Sequence, residues 1–173
     1  MGGSHASHLT PLQRPLEAAS LVGSWYIQRG LPAANFLEKH AHNAVETYTL
    51  NTKGNLAVEY AFNNRAFDGK LVKTYQKGRF VNENNTVWTV QPYLGFLYLP
   101  FYLPFSLPYL VIDCATDYSW IVVAAPNRSW MYIMTRAQSV SDESLAPRLD
   151  FVRSLGFKDM DIKLFPQQPA ADS

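Results

Sequence analysis

The sequence predicts an all-β protein, an eight-stranded up-and-down antiparallel β-barrel with one C-terminal α-helix packed on the outside. Eight segments alternate apolar and polar residues with a period of two, as half-buried strands do. Short turn-forming segments separate most of them, and no helical pattern lies between them, so each strand is expected to pair with its sequence neighbour. The same order suits a sandwich, but a barrel is favoured because closure leaves no exposed edge strand.

The first four predicted strands precede the middle of the chain. They are Leu21–Arg29, Ala44–Leu50, Leu56–Phe62 and Lys70–Val81. A loop from Gly30 to about Asn43 follows the first strand, and the turn residues from Asn51 to Gly54 join the second to the third. The second and third strands therefore form a hairpin.

The last four predicted strands are Thr86–Val90, Tyr109–Cys114, Ser119–Ala124 and Ser129–Thr135. Ser141 then offers an N-cap for a helix whose first turn carries two acidic residues. Its apolar stripe recurs at helical spacing and predicts docking against the barrel wall; the stripe is Leu145, Leu149, Val152 and Leu155. Gly156 is a typical C-terminal stop, and Ile162–Phe165 is expected to add a short strand.

A chain of 173 residues fits one domain. Residues 1–20 are interpreted as a tag remnant with an N-terminal extension, residues 21–169 as the barrel domain and residues 170–173 as a tail. Cys114 is the only cysteine, and its apolar neighbours predict a small buried side chain rather than a reactive thiol.

The composition excludes two broad classes of protein. Charged residues are 17% of the chain, below the typical value of roughly 25%, while aromatic residues reach 14%. An intrinsically disordered chain needs low hydrophobicity and high net charge, which this chain lacks. A net charge of +1 also argues against nucleic acid as a partner, because its binders usually carry a basic face.

An uncharged run contains the fifth predicted strand, its connection to the sixth and most of the sixth strand. No Asp, Glu, Lys, Arg or His lies between Glu83 and Asp113. A membrane-spanning helix is excluded there because Pro100, Pro104 and Pro108 would each remove a helix hydrogen bond and leave backbone groups unpaired in lipid. The stretch Tyr93–Ile112 within this run is therefore interpreted as a long apolar loop that leads into a strand.

Three short motifs, in order and at barrel spacing, carry a family resemblance. They are Gly23-Ser24-Trp25, Thr116-Asp117-Tyr118 and the lone Arg136 after the eighth strand. Together with the single C-terminal helix, they resemble the lipocalin family, and the helix region is similar to the bacterial outer-membrane lipocalin and apolipoprotein D group. The resemblance extends over almost the whole chain.

The motif residues are expected to be structural. Gly23, Thr116 and Tyr118 are assigned a structural role because they match positions of the family's motifs. Trp25 is large enough to plug the closed end of a barrel, and Arg136 can stack on its face. Asp117 in a tight turn can accept backbone hydrogen bonds.

An eight-stranded barrel can hold one small ligand. By similarity to apolipoprotein D, Thr47 and Tyr132 match pocket positions, and Trp130 and Met134 share the face of Tyr132. Size and alternation add further candidates, which are Tyr60, Phe62, Tyr75, Trp88 and Val90. With Thr47 inside, strand parity places Glu46 outside. The ligand is expected to be a fatty acid, lysophospholipid, sterol or pigment.

The apolar loop, residues about 92–108, should emerge at the open end of such a barrel. Candidates for the mouth or lid are Phe36, Leu99, Phe101, Tyr102 and Phe105. Exposed apolar patches mark membrane, partner or ligand contacts. The loop is therefore predicted to be a lid or to contact a membrane surface, with a homodimer contact or a folded-back loop as alternatives.

Lys39, His40 and His42 follow the first strand and should also lie near the mouth. Three interpretations are open for these residues. They are solvated side chains, or they contact the head group of a ligand, or the two histidines ligate a haem iron. No other residue pattern supports haem, so no cofactor and no metal is predicted.

The sequence favours a carrier over an enzyme, because it contains no nucleophile–base pair, metal-spacing cluster or phosphate loop. The alternative is an enzyme that acts on a lipid or carotenoid-like substrate inside the barrel, and a protein–protein scaffold with a filled barrel is a third interpretation. A catalytic acid or base inside the barrel would come from Glu46, Glu59, Asp68 or Lys77. By resemblance, the protein is expected to be secreted, periplasmic or membrane-anchored rather than cytosolic.

Overall fold

The computed structural model describes residues 7–93 and 101–169, in which one antiparallel sheet closes on itself. Its first eight strands are β1 (Gly23–Leu31), β2 (Ala41–Leu50), β3 (Leu56–Asn64), β4 (Leu71–Phe80), β5 (Val87–Pro92), β6 (Leu107–Cys114), β7 (Trp120–Ala124) and β8 (Met131–Thr135). Each strand pairs with its sequence neighbour, and β1 pairs with both β2 and β8. The predicted eight-stranded barrel is confirmed.

Two short helices differ from the predicted elements. Helix α1 (Ala18–Leu21) precedes the barrel, so the prediction that the first strand begins at Leu21 is wrong. Helix α2 (Asn35–Glu38) lies in the predicted loop after β1, and β2 already begins at Ala41. These single turns carry no long apolar period, which is why the pattern of the sequence does not indicate them.

The third helix, α3 (Asp142–Ser154), packs on the outside of the barrel as the apolar stripe predicts. The side chain of Ser141 accepts a hydrogen bond from the Ser144 amide at 3.2 Å, which caps the helix. Leu145 and Val152 are buried in a second hydrophobic cluster on the outer wall. A 3₁₀ turn (Asp159–Asp161) leads to β9 (Lys163–Leu164), which pairs with β1.

No helix in the two described stretches is both long and apolar enough to cross a membrane. The segment before α1 packs against the barrel, with Leu9 in the outer cluster and Leu12 and Leu16 against the interior cluster that contains Trp25. The Leu9 and Leu12 amides donate to the carbonyls of Pro126 and Val111, and the Leu16 amide donates to the Asn84 carbonyl. Leu9 and Leu16 are buried, so part of the predicted N-terminal extension packs with the barrel.

Trp25 fills one end of the barrel. Its side chain is fully buried and donates from Nε1 to the Leu21 carbonyl at 2.8 Å. The guanidinium of Arg136 lies 3.7 Å from the centre of the Trp25 ring and donates to the carbonyls of Ser20, Val22 and Ser24. Gly23 has φ of +109°, and a Cβ at this position would lie 3.0 Å from the Arg136 guanidinium. These contacts close this end of the barrel.

The other two motif residues with side-chain contacts lie in the turn between β6 and β7. Asp117 accepts from the Ser119 amide at 3.0 Å, and this hydrogen bonding lowers the pKa of Asp117. The Tyr118 hydroxyl accepts from the Glu17 amide at 2.8 Å, which ties the N-terminal segment to the closed end. Thr116 is exposed in the same turn.

Candidate functional site

A cavity of about 260 Å³ lies inside the barrel at the end opposite Trp25. Its volume equals that of roughly nine water molecules at ~30 Å³ each and lies just below the usual range of ligand pockets. The residues that line it are Ala33, Ala34, Leu37, Glu38, Glu46, Tyr60, Phe62, Thr74, Tyr75, Gln76, Val90, Pro92, Tyr93, Leu103, Leu107, Pro108, Tyr109, Trp130 and Tyr132.

Glu38 reaches the cavity from α2, the single helical turn over the mouth. Its Oε1 accepts hydrogen bonds from the hydroxyls of Tyr60 at 2.9 Å and Tyr132 at 2.7 Å. Its Oε2 accepts from the Ala34 amide at 2.9 Å, which holds the carboxylate at the start of α2. Because Tyr60 and Tyr132 belong to β3 and β8, Glu38 connects α2 to two walls of the barrel.

Glu46 lies in the middle of β2 and faces inward. Its Oε2 accepts from the Tyr48 hydroxyl at 2.6 Å and from the Tyr109 hydroxyl at 2.9 Å. The two hydroxyls are themselves 2.6 Å apart. Only 3% of Glu46 is exposed, and the hydrogen bonds compensate part of the cost of burying its carboxylate.

The interior raises the pKa of both acids. Burial is the main cause for Glu46, whose pKa rises to about 6 against the opposing tyrosine hydrogen bonds, and Glu38 adds to the rise. Burial also raises the pKa of Glu38, although Tyr132, Ala34 and Tyr60 donate to it. At neutral pH Glu46 is therefore largely ionised yet easily protonated. Such poised acids cluster at functional sites.

A continuous row of aromatic rings forms one wall of the interior. Trp88 stacks on Tyr109 with ring centres 4.7 Å apart and planes within 6°. Trp130 follows, with its ring centre 4.9 Å from that of Tyr109 and 5.7 Å from that of Tyr132. Aromatic pairs in such arrangements are worth ~0.5–1.5 kcal/mol beyond the area they bury, so the row is a rigid surface.

Six of the nine predicted ligand-binding residues line the cavity: Tyr60, Phe62, Tyr75, Val90, Trp130 and Tyr132. Their role in binding stays a prediction. Trp88 and Met134 are fully buried in the barrel core and are not among the cavity-lining residues. Tyr75 borders the cavity, but its side chain is exposed on the face that also carries Glu59.

The predicted parity of β2 is wrong. Thr47 lies on the outer face, where its hydroxyl is 3.4 Å from that of Ser24, and Glu46 points inward beside Trp25 and Tyr60 on the adjacent strands. Since side chains alternate along a strand, placing Thr47 inside forced Glu46 outside. The inward set of β2 is Ala44, Glu46 and Tyr48, which is mostly apolar apart from the glutamate.

Sequence reasoning also missed Glu38, Tyr48 and Tyr109. The sequence did carry one signal for these residues. Several strands have tyrosines at inward positions, and a buried tyrosine hydroxyl needs a hydrogen-bond partner. Because the chain has few charged residues, only a few carboxylates could accept hydrogen bonds from these hydroxyls. Glu38 carries no signal of its own, since it lies in a short turn between strands.

The described parts of the apolar loop, residues 92–93 and 101–108, lie at the open end, where Leu103 and Leu107 line the cavity. Phe101 and Phe105 point away from it and are 50% and 57% exposed. Phe36 on α2 is 75% exposed. Leu99 lies outside the described residues.

Tyr102 of the predicted lid packs elsewhere. Its ring lies 5.1 Å from that of Tyr93 and 4.1 Å from the Lys77 ammonium, against the outer face of β4. Tyr102 therefore anchors the loop to the barrel wall, and it does not cover the cavity.

Lys39, His40 and His42 do not line the cavity. Lys39 and His40 are exposed beside a separate surface groove, and His42 packs its ring against Phe67 at 5.0 Å. Within residues 7–93 and 101–169, no group of three or more His, Cys, Asp or Glu side chains could hold a metal ion. Cys114 is buried, as predicted, and burial raises the pKa of its thiol to about 11, so it is protonated at neutral pH.

Comparison with known proteins identifies the architecture. The model of a family described as lipocalin-like domain matches residues 16–167. Insecticyanin from the tobacco hornworm Manduca sexta is similar in structure, with a TM-score of 0.68, 14% identity, and coverage of 96% of this chain and 88% of that chain. The cockroach allergen Per a 4 has a TM-score of 0.63 and 16% identity, with coverage of 94% and 96%.

Lobster apocrustacyanin A1 has a TM-score of 0.61 and 15% identity, with coverage of 88% of this chain and 80% of that chain. At these identities the solved structures show the fold alone. No curated protein matches the sequence.

Proposed function

The chain belongs to the lipocalin family, and from this premise we propose that it binds and carries a small hydrophobic molecule in the cavity beneath α2. Lipocalins are known for binding such ligands in the barrel. The observation that carries the proposal is the cavity itself: it has a largely apolar and aromatic lining, with two buried carboxyl groups, at the open end of an otherwise filled barrel. Concave apolar sites with a few convergent polar groups are the usual form of a ligand pocket.

A carrier fits the chemistry better than an enzyme does. Both acids already accept hydrogen bonds from two tyrosines each, and the described residues that line the cavity include no Ser, Cys, Lys or His that could act as a nucleophile or base beside them. The protonated thiol of Cys114 lies outside the cavity. We therefore expect the protein to bind its ligand and to release it chemically unchanged. Export to a secreted, periplasmic or membrane-anchored location is a proposal that rests on family membership.

Ligand recovery tests the carrier proposal. The protein is purified without denaturation, its mass is measured by native mass spectrometry, and the bound molecule is extracted and identified. We expect one small hydrophobic molecule per chain, unchanged after prolonged incubation with the protein. Conversion of the molecule would favour the enzyme, and a protein that takes up no hydrophobic probe would contradict the proposal.

The apolar loop is proposed to serve ligand exchange at the mouth. Leu103 and Leu107 support a lid role, because both border the cavity. Phe101 and Phe105, exposed at the same end, support contact with a membrane surface from which a ligand enters. A homodimer formed through these same residues is the competing proposal.

Replacing Phe101 and Phe105 together by Asp is expected to lower recovery with phosphatidylcholine vesicles in a flotation assay at least fivefold. Two charges would have to enter the lipid interface in place of two aromatic rings. Val81→Asp is the matched control, since Val81 is similarly exposed but lies in the β4–β5 turn near the closed end. Equal flotation of the wild type and the double variant would exclude membrane contact through these residues. If the wild type sediments as a dimer and the double variant as a monomer, the homodimer proposal is favoured instead.

A further inference from the structure

The charge of the cavity lining is unbalanced. Among the described residues that line it, Glu38 and Glu46 are acidic and none is Lys, Arg or His. Both hydroxyl contacts of Glu46 go to Oε2, and no described residue donates a hydrogen bond to Oε1. Buried charges in proteins are normally paired, but no described residue of the lining offers this carboxylate a positive partner.

The walls around the two acids suit a cation. The rings of Tyr60, Phe62, Tyr109, Trp130 and Tyr132 surround the cavity. The face of an aromatic ring attracts a cation within about 6 Å of its centre, by ~0.5–2 kcal/mol depending on desolvation. The lining therefore combines negative charge with aromatic faces, which is the chemistry that recognises an organic ammonium group.

We propose that the ligand of this barrel is a small organic cation, a protonated amine attached to an apolar or aromatic body. This inference rests on the proposed function and names the ligand class of the same cavity. The ammonium group binds Oε1 of Glu46, and the body packs against Trp130, Tyr132 and Phe62. Fatty acids and other anions are disfavoured, because their carboxylate would face two acids without a cation among the lining residues.

The protonation states support ion pairing at neutral pH. A primary alkylamine keeps its proton up to about pH 10, as a lysine side chain does. The groups that face Glu46 are Tyr48 on its own strand, Tyr60 on β3, Tyr109 on β6 and Glu38 on α2, none of them cationic. Arg136 lies near Tyr48 toward the closed end, and Lys163 lies near Glu38.

The affinity for an amine is expected to depend on pH in one direction. The pKa of Glu46 is about 6 in the free protein, so its carboxylate is present above pH 6 and becomes neutral below it. A neutral carboxyl group cannot pair with an ammonium ion. Amine binding should therefore weaken as the pH falls from 7.5 to 5, while binding of a neutral molecule of the same shape stays constant.

Three probes with the same aromatic body test the proposal: 2-phenylethylamine, the neutral 2-phenylethanol and the anionic 3-phenylpropanoate. Affinities are measured by isothermal titration calorimetry at pH 7.5 and pH 5. We expect the amine to bind at least tenfold more tightly than the alcohol at pH 7.5, and the propanoate more weakly than both. At pH 5 the preference for the amine should fall to threefold or less.

Glu46→Gln is expected to weaken amine binding at least tenfold and alcohol binding less than threefold, because glutamine removes the charge but can still accept the two tyrosine hydrogen bonds. Glu59→Gln is the matched control: it removes one charge from the outer face of β3, where Glu59 pairs with Lys73 at 2.9 Å. It should change none of the affinities. If Glu46→Gln does not fold, Glu38→Gln and the pH dependence of the wild type decide the question.

Two results separate this inference from the proposed function. If the alcohol binds as tightly as the amine, or if the folded Glu46→Gln variant keeps the amine preference, the ligand is not a cation and the carrier proposal still stands. If none of the probes binds and no molecule is recovered from the purified protein, the carrier proposal fails together with the inference.

Discussion

Replacing Trp25 by alanine is expected to lower the free energy of unfolding by about 3–5 kcal/mol, the usual cost of removing a buried aromatic side chain. Trp25 is fully buried, its Nε1 donates to the Leu21 carbonyl, and Arg136 stacks on its ring. The variant would leave a void at the closed end and a guanidinium without its aromatic partner. Denaturant unfolding followed by circular dichroism measures the change.

Trp120→Ala is the matched control for this prediction. Trp120 also has an arginine over its ring, Arg148 at 4.0 Å, but it is only half-buried on the outer wall. We expect a smaller loss, because a void that opens to solvent costs less than one enclosed by the barrel. An equal loss in the two variants would mean that Trp25 does not hold the closed end together.

Trp88→Ala is expected to cost a similar 3–5 kcal/mol and also to change which ligands fit. Trp88 stacks on Tyr109, contacts Tyr48 and Phe80 edge to face, and donates from Nε1 to the Asn85 carbonyl. Because Tyr109 lines the cavity, the space left by the indole would extend the cavity toward the closed end.

The readout is affinity across a series of neutral 1-alkanols of increasing length. In the wild type the affinity should stop rising once the chain fills the cavity, and in Trp88→Ala it should continue to rise, by ~0.8 kcal/mol for each additional buried CH₂. Trp88→Phe is the matched control, since a benzene ring keeps most of the stack on Tyr109. Identical length profiles in all three proteins would show that the cavity does not reach toward Trp88.

The cavity and the loop divide the proposed function between them. Glu46 and the aromatic wall would select the ligand at the inner end of the cavity, whereas Leu103 and the exposed phenylalanines would control its passage through the mouth. Glu38 lies between these two parts, because it joins α2 to β3 and β8 through tyrosine hydroxyls. A ligand that disturbs these hydrogen bonds would also loosen α2.

Much of the fold could be predicted because it depends on local patterns. The period of two located all eight barrel strands to within a few residues, and the cap at Ser141 with its apolar stripe located α3. Proline spacing predicted a loop before β6, and the order of strands placed the described parts of that connection at the open end. The narrower resemblance to bacterial lipocalins and apolipoprotein D stays a prediction.

The site could be predicted only in part. Tyr60 was predicted from its size and from the alternation along its strand. Tyr132 was predicted from the family resemblance, and Trp130 because it shares the face of Tyr132. Thr47 was misplaced because it was matched by resemblance to a pocket position of apolipoprotein D, and alternation along β2 then placed Glu46 on the outside. Glu38 was missed because a single helical turn leaves no periodic signal.

By itself, the sequence determined the strands, the helix, the closed barrel and the chemical character of its interior, because alternation, capping and proline act within a few residues. Only the tertiary structure decided where the two glutamates lie. A buried carboxylate is tolerable only when donors arrive from other strands, and Tyr109 and Tyr132 are 63 and 94 residues away from the acids they contact. Contacts at that separation are set by barrel closure, and they turn a chain with few charges into a cavity with two acids.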